Sequence, residues 1–188
     1  MRRTAEALRE FEVSVRTYLS ELEELEWEQL LYKTNPEEWS IGQMYVHLIQ
    51  SAQGMQLRNA DLCLAGSEEN LSANEEKTES GKAVFDQGSF PPVRVRVPAS
   101  PQYTPKQPES RDQLIEGLHA VAERMRRMEP ALTQASERNK VLHPRLGALN
   151  AKEWFMLVEM HYRHHFLQLD RLKSELPSSS TQTEHQRQ

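Results

Sequence analysis

Residues 154–169 read WFMLVEMHYRHHFLQL, and their apolar residues recur at the spacing of a long helix. A helix that runs through this stretch and continues beyond it has Trp154, Val158, His161, His165 and Leu172 on one face. Asn150 and Glu153 have the spacing of an N-terminal capping box, which predicts a helix over about residues 151–176. Because most of this face is apolar, we expect it to pack against other helices.

A first helix is predicted upstream, over about residues 4–32. Its apolar residues recur at steps of three and four: Leu8, Phe11, Val15, Tyr18, Leu22 and Leu25. Asn35 and Pro36 then interrupt the pattern, since the residue before a proline is biased away from helical conformation.

A second helix is predicted to begin at a capping box formed by Ser40 and Gln43 and to cover about residues 41–64. The residues expected to face inward are Met44, Leu48, Met55 and Leu62. Gly66 is expected to end it, because glycine readily adopts the left-handed conformation of a helix C-terminus.

A third helix is predicted to begin at the capping box of Ser110 and Gln113. Its apolar positions are Leu114, Leu118, Val121, Met125 and Met128. It should kink or stop at Pro130, because proline removes a backbone hydrogen bond of the helix.

Residues 67–109 join the second and third helices and differ from them in composition. A polar run leads into a segment that holds six of the ten prolines. We expect no helix here, and the length exceeds that of a simple turn. Val93, Val95 and Val97 alternate with arginines, which predicts a short extended piece laid against the helices. The segment is either a lid over a pocket or an ordered crossover.

These patterns predict an all-α fold, namely a four-helix bundle with a long crossover between helices 2 and 3. The bundle is expected to be one domain covering residues 1–176, and the polar tail 177–188 is expected to be disordered.

The composition is that of an ordinary globular protein, with 188 residues, 37% hydrophobic and 27% charged. No apolar run is long enough for a bilayer and no signal core follows Met1, so we expect no membrane partner and a cytoplasmic location. A net charge of −5 argues against nucleic acid as a partner. Cys63 is the only cysteine, which excludes a disulfide framework or a thiolate cluster within the chain.

His161 and His165 are four residues apart and lie on the inward face of the last predicted helix. Two imidazoles in a core are costly unless each has a partner, and a metal ion would supply one to both. This pair alone leaves the alternatives open, since two ligands do not make a stable site and core histidines also form hydrogen bonds. His164 points about 100° away from His165 and is expected to be a bystander.

His47 is the natural third candidate, since it lies about two turns into the second helix beside Met44 and Leu48. A lone histidine there is also compatible with a hydrogen-bonded core residue. The remaining histidines are poorer candidates. His143 precedes a proline in a predicted loop and His119 stands alone on the third helix. His185 lies in the tail.

Two stretches, EEWSIGQMYVHLI and HPRLGALNAKEWFMLVEMHYRHHFLQLDRL, resemble the DinB-like superfamily, which includes YfiT-like metal-dependent hydrolases and small-molecule-thiol S-transferases. The first is similar to the family's tryptophan, polar cap and helix leading to a ligand histidine, and the second to its H-x3-H-x2-Q motif. The resemblance implies a divalent metal, zinc or nickel, held by His47, His161 and His165. It places Gln168 at the family's glutamine position, where we expect it to support a ligand.

A three-histidine site leaves a coordination position open, which suits catalysis. Hydrolysis usually needs a positioned carboxylate, but Glu159 lies about 160° from His161 around the helix and should face away. The interpretation is therefore an enzyme that transfers a low-molecular-weight thiol to an electrophile; a metal-dependent hydrolase is the alternative. A metal- or ligand-binding bundle without turnover and a metal-free structural bundle also remain open, as does a homodimer.

Overall fold

The computed structural model describes residues 3–66, 72, 74–93 and 104–177, and they are mostly helical. The helices are α1 (Thr4–Glu24), α2 (Trp27–Leu31), α3 (Ile41–Ser51), a π-helix (Ala52–Gln56), α4 (Leu57–Ala65), α5 (Glu79–Gln87), α6 (Arg111–Leu132) and α7 (Ala151–Ser174). One small antiparallel sheet pairs β1 (Lys140–His143) with β2 (Gly147–Asn150).

The single helix predicted over residues 4–32 is two helices. Leu25 is extended, with φ −87° and ψ 135°, and ends α1. Glu26 then starts α2 with a capping box, in which the Glu26 amide donates to Gln29 Oε1 over 2.8 Å. The apolar pattern ran through this break because Leu25 at the break and Leu30 after it are both buried.

The second predicted helix is confirmed at both of its ends. The Gln43 amide donates to Ser40 Oγ over 3.0 Å at the start of α3. Gly66, with φ 69°, ends α4 in the left-handed conformation. Met44 and Leu48 are fully buried, as expected.

The π-helix between α3 and α4 changes which face of the second helix is buried. A π-helical turn holds more residues than an α-helical one, so the residues after it are rotated relative to an unbroken α-helix. Leu57, Ala60 and Cys63 are buried as a result. Met55 and Leu62, both expected to face inward, are only half-buried.

The connection between the second and third predicted helices contains a helix, so the expectation of none there is wrong. α5 lies in a part of the connection that has no proline. Thr78 Oγ1 accepts the Gly81 amide over 3.0 Å at its start, and Gly88, with φ 63°, ends it. Tertiary contact holds it in place, since a Cβ added at Gly81 would meet the Leu146 carbonyl oxygen at 2.1 Å.

The hairpin of β1 and β2 occupies a segment that was expected to be a loop. Its strands pair from Lys140 with Asn150 to His143 with Gly147. A single bridge between Lys77 and Gly147 attaches the start of the α5 region to the hairpin. The all-α expectation is thus correct for most of the described chain, with this small sheet as the exception.

α6 begins at its predicted cap, where Ser110 Oγ accepts the Gln113 amide over 3.1 Å. It does not stop at Pro130, but continues to Leu132. Pro130 costs the helix the hydrogen bond that its missing amide would donate to the preceding turn, but the last turn is retained and Leu132 is fully buried.

A chain of tyrosines aligns α3 and α7 through α1. The Tyr45 hydroxyl on α3 donates to the Tyr18 carbonyl over 2.9 Å, and the Tyr18 hydroxyl donates to the Tyr162 carbonyl on α7 over 2.7 Å. All three rings are fully buried. Because Tyr45 is two residues from His47 and Tyr162 is next to His161, this network sets the distance between the two histidine-bearing helices.

Some expectations fall outside the described residues. Val95, Val97 and residues 178–188 are among them, so the extended piece and the tail stay predictions; Val93 is described and is 56% exposed. Across the described ranges, no helix combines the length and apolarity that crossing a membrane requires.

Candidate metal centre

The structure brings together the three histidines that the sequence singled out. His47 projects from α3, and His161 and His165 project from α7. His161 Nε2 lies 3.2 Å from His47 Nε2 and 3.0 Å from His165 Nε2. Among the described residues, these three form a group whose ligand atoms all lie within 4.8 Å of one another and could hold a metal ion. We call this group the histidine triad.

The spacing of the nitrogen atoms fits a shared metal ion. For a metal about 2.0–2.1 Å from each nitrogen, two ligands are separated by about 3.4 Å at the tetrahedral angle and by about 2.9 Å at a right angle. The observed 3.0 and 3.2 Å lie between these limits. Without a metal or a proton, nitrogen lone pairs this close repel one another.

Two of the three imidazoles have a partner on their other nitrogen. Gln168 Oε1 lies 2.8 Å from His165 Nδ1, so it accepts the Nδ1 proton and leaves Nε2 as a free lone pair. Ser51 Oγ lies 3.4 Å from His47 Nδ1, a longer and weaker contact. His161 Nδ1 is buried and has no hydrogen-bond partner in the described part of the chain.

Burial keeps the triad in the neutral form that a metal requires. Desolvation lowers the pKa of His47 to about 4. Desolvation, reinforced by His47 nearby, lowers the pKa of His165 to about 3, although the Gln168 hydrogen bond opposes the shift. Desolvation, followed by the other two histidines, lowers the pKa of His161 well below its ordinary value. Neutral imidazoles are therefore available near pH 7.

The other histidines do not join the triad. His164 is half-buried and its ring lies 5.6 Å from that of Phe90. His143 Nδ1 accepts the backbone amides of Arg145 and Leu146, each over 3.1 Å, at the turn of the hairpin. His119 is exposed on α6, and His185 lies outside the described residues.

Two aromatic side chains beside the triad were not anticipated as site residues. The Trp39 ring centroid lies 5.0 Å from that of His47. The Phe90 ring centroid lies 6.4 Å from that of His161. Trp39 directly precedes the Ser40 cap, so its closeness to the helix carrying His47 could have been inferred. No sequence signal places Phe90, because its position depends on how α5 docks.

Glu159, which the helical spacing predicted to face away from His161, is fully buried. Arg163 Nε donates to Glu159 Oε1 over 2.8 Å. Across the described ranges, no carboxylate belongs to the group of potential metal ligands.

Cys63 is also apart from the potential metal ligands in the described structure. Its side chain is 1% exposed and its thiol donates to the Leu149 carbonyl over 3.6 Å. Burial raises the pKa of this thiol to about 11. The cysteine is therefore an inert core residue.

Comparisons with known proteins support the resemblance. No curated protein and no solved structure matches the chain. A family model described as the DinB superfamily matches residues 10–169, a range that includes all three histidines of the triad. Since this match covers most of the sequence, the chain belongs to the DinB superfamily.

Proposed function

We propose that His47, His161 and His165 bind a divalent metal ion, zinc or nickel, and that the protein is an enzyme transferring a low-molecular-weight thiol to an electrophile. The observation that carries the proposal is the convergence of three Nε2 atoms from two helices. In this proposal the four long helical units, namely α1, α3 to α4, α6 and α7, form a four-helix bundle around that site.

The donor set supports a catalytic metal rather than a purely structural one. Structural zinc sites are usually closed by four protein ligands, whereas three histidines leave a position open to a substrate. A divalent metal there would supply a Lewis acid that lowers the pKa of a coordinated thiol to give a thiolate at neutral pH. Gln168 would accept a hydrogen bond from the protonated Nδ1 of His165. This keeps His165 Nε2 unprotonated and directed at the metal.

Thiol transfer is preferred to hydrolysis because Glu159, the carboxylate of α7 closest to His161 in sequence, is already paired. Hydrolysis usually needs a positioned general base. Glu159 is buried against Arg163, where it cannot readily exchange protons with a substrate at the triad. In the proposed transfer, the thiol sulfur forms a bond to the electrophilic carbon, the leaving group departs with its bonding electrons, and the thiol proton passes to solvent.

Elemental analysis of protein purified without a histidine tag tests the metal. The parent chain should retain about one divalent ion per molecule, and His165→Ala should lose most of it. His119→Ala, which removes an exposed histidine on α6, is the matched control and should retain the parent's metal content. Equal metal in the parent and His165→Ala, or none in the parent, would reject the site.

A panel of cellular thiols with the chromogenic electrophile 1-chloro-2,4-dinitrobenzene tests the reaction. The parent should accelerate arylation of at least one thiol, whereas His165→Ala should match the uncatalysed rate. If the two proteins give equal rates with every thiol, transfer to this electrophile is excluded. Metal-dependent cleavage of an ester or amide without added thiol would favour the hydrolase instead. Retained metal without either activity would favour a binding bundle without turnover.

A further inference from the structure

We propose that Trp39 and Phe90 form an aromatic subsite beside the histidine triad, and that this subsite binds a planar, uncharged aromatic ring of the electrophile. The link to an electrophile rests on the proposed function. Binding of the ring itself requires neither a metal nor turnover, so it can be tested separately.

The two aromatic rings lie beside different histidines of the triad. Trp39 lies against His47, with ring centroids 5.0 Å apart and planes tilted by 53°. Phe90 lies 6.4 Å from the ring of His161 and 5.6 Å from that of His164. These spacings are within the range in which aromatic rings attract one another. Each of the two rings is therefore close to the triad, where a ligand would bind.

The backbone on both sides of Trp39 is anchored, although its side chain is only half-buried. Ser40 is fully buried, and its hydroxyl donates to Gln107 Oε1 over 2.7 Å. Glu38 pairs with Arg171 of α7, with 3.4 Å between Oε2 and Nη2. The chain that carries the indole is thus held in place, while part of the Trp39 surface remains accessible, as a binding residue requires.

Phe90 is held by the helix that carries two of the histidines. Arg163 of α7 donates from Nη2 to the Gly88 carbonyl over 2.6 Å, just after α5. Glu159 orients the same guanidinium through the 2.8 Å bond to Nε. Phe90 is half-buried, so it also keeps accessible surface. The end of α5 is therefore positioned by Glu159 and Arg163, which lie two residues before and two residues after His161 on α7.

The chemistry around the triad favours an uncharged ring over an anion. Ser51 and Gln168, which contact the triad through hydrogen-bonding atoms, are both uncharged. The charged side chains that anchor Trp39 and Phe90 are themselves in ion pairs. The two aromatic rings suit stacking, which an aromatic ligand gains and an aliphatic one of equal size does not.

Calorimetric titration with nitrobenzene and nitrocyclohexane tests the subsite, because the two probes have similar size and the same polar group but only one is aromatic. The parent should bind nitrobenzene more tightly. Trp39→Leu and Phe90→Leu should each weaken nitrobenzene binding about three- to tenfold, and nitrocyclohexane binding by less than about twofold. Trp39→Phe keeps an aromatic ring and should recover most of the affinity.

Trp27→Leu and Phe85→Leu are the matched controls, since both residues are half-buried aromatics packed against the core. They should leave the affinity for both probes unchanged. Equal losses in the controls, equal losses for the two probes, or no saturable binding of nitrobenzene by the parent would each overturn the proposal. If nitrobenzene binds as expected but the metal and transfer assays fail, the proposed function is rejected and the subsite stands.

Discussion

His165 Nδ1 lies 2.8 Å from Gln168 Oε1, one helical turn further along α7. This hydrogen bond fixes which nitrogen of His165 carries the proton and which faces the other two histidines. The Nε2 lone pair is thereby directed at the point where the three rings converge, before any metal arrives.

Gln168→Ala should therefore weaken metal affinity about ten- to a hundredfold without abolishing binding. Ser51→Ala is a graded comparison, because the contact from Ser51 Oγ to His47 Nδ1 is 3.4 Å and its loss should matter less. Competition with a chromogenic chelator measures both affinities. Complete loss of metal from a folded Gln168→Ala variant would make Gln168 a ligand and contradict its supporting role.

The metal-free protein should lose stability as the pH falls from neutrality. Burial lowers the pKa of His47 from 6.5 to about 4, so an unfolded chain binds a proton in a range where the folded chain does not. The stability contributed by this group is fully present above about pH 6.5 and is lost progressively as the pH falls towards 4.

Urea unfolding at a series of pH values between 7 and 4 measures the slope of the unfolding free energy against pH. His47→Gln should reduce it relative to the parent, whereas His119→Gln, at an exposed position on α6, should leave it unchanged. A parent whose unfolding free energy is independent of pH over this range would show that the triad is not held neutral by burial.

Gly81→Ala should destabilise the fold by about 1–3 kcal/mol. An added Cβ would lie 2.1 Å from the Leu146 carbonyl oxygen, and backbone on both sides limits relaxation. Gly54→Ala is the opposite case, since nothing lies within 4 Å of its added Cβ. It should stabilise the helical segment by up to about 1 kcal/mol. Equal unfolding free energies for the two variants would argue against close packing of α5 on the hairpin.

Cys63 should resist modification by thiol reagents in the native protein. The thiol is 1% exposed, and burial raises its pKa to about 11, so little thiolate exists at neutral pH. Treatment with an aromatic disulfide reagent at pH 7.5 should modify it only slowly until urea unfolds the chain. Rapid stoichiometric modification under native conditions would instead identify a thiol that the protein itself can offer for chemistry.

Helix starts were the most predictable features of the fold. The capping side chains of Ser40, Ser110 and Asn150 each accept the amide of the residue three positions later, so the information is local, and all three helices begin where expected. The break at Leu25 was missed because a buried leucine preserves the apolar period across it. The π-helix was missed because an extra residue in a turn leaves no mark in the apolar pattern before it.

The candidate site likewise has features that local sequence predicts and features that depend on how distant segments pack. The spacing of His161 and His165 puts both on one face of any helix, so that pair follows from the sequence alone. His47 was the third candidate from its place on the second predicted helix, and the resemblance favoured it as a ligand. Only the tertiary structure decided that His47 Nε2 lies 3.2 Å from His161 Nε2, because that distance depends on how α3 and α7 are held together. It also decided the position of Phe90, since α5 is placed by contacts with the hairpin and with Arg163. Local periodicity specifies which residues share a helix face, whereas the meeting of faces from distant segments depends on packing that no single segment encodes.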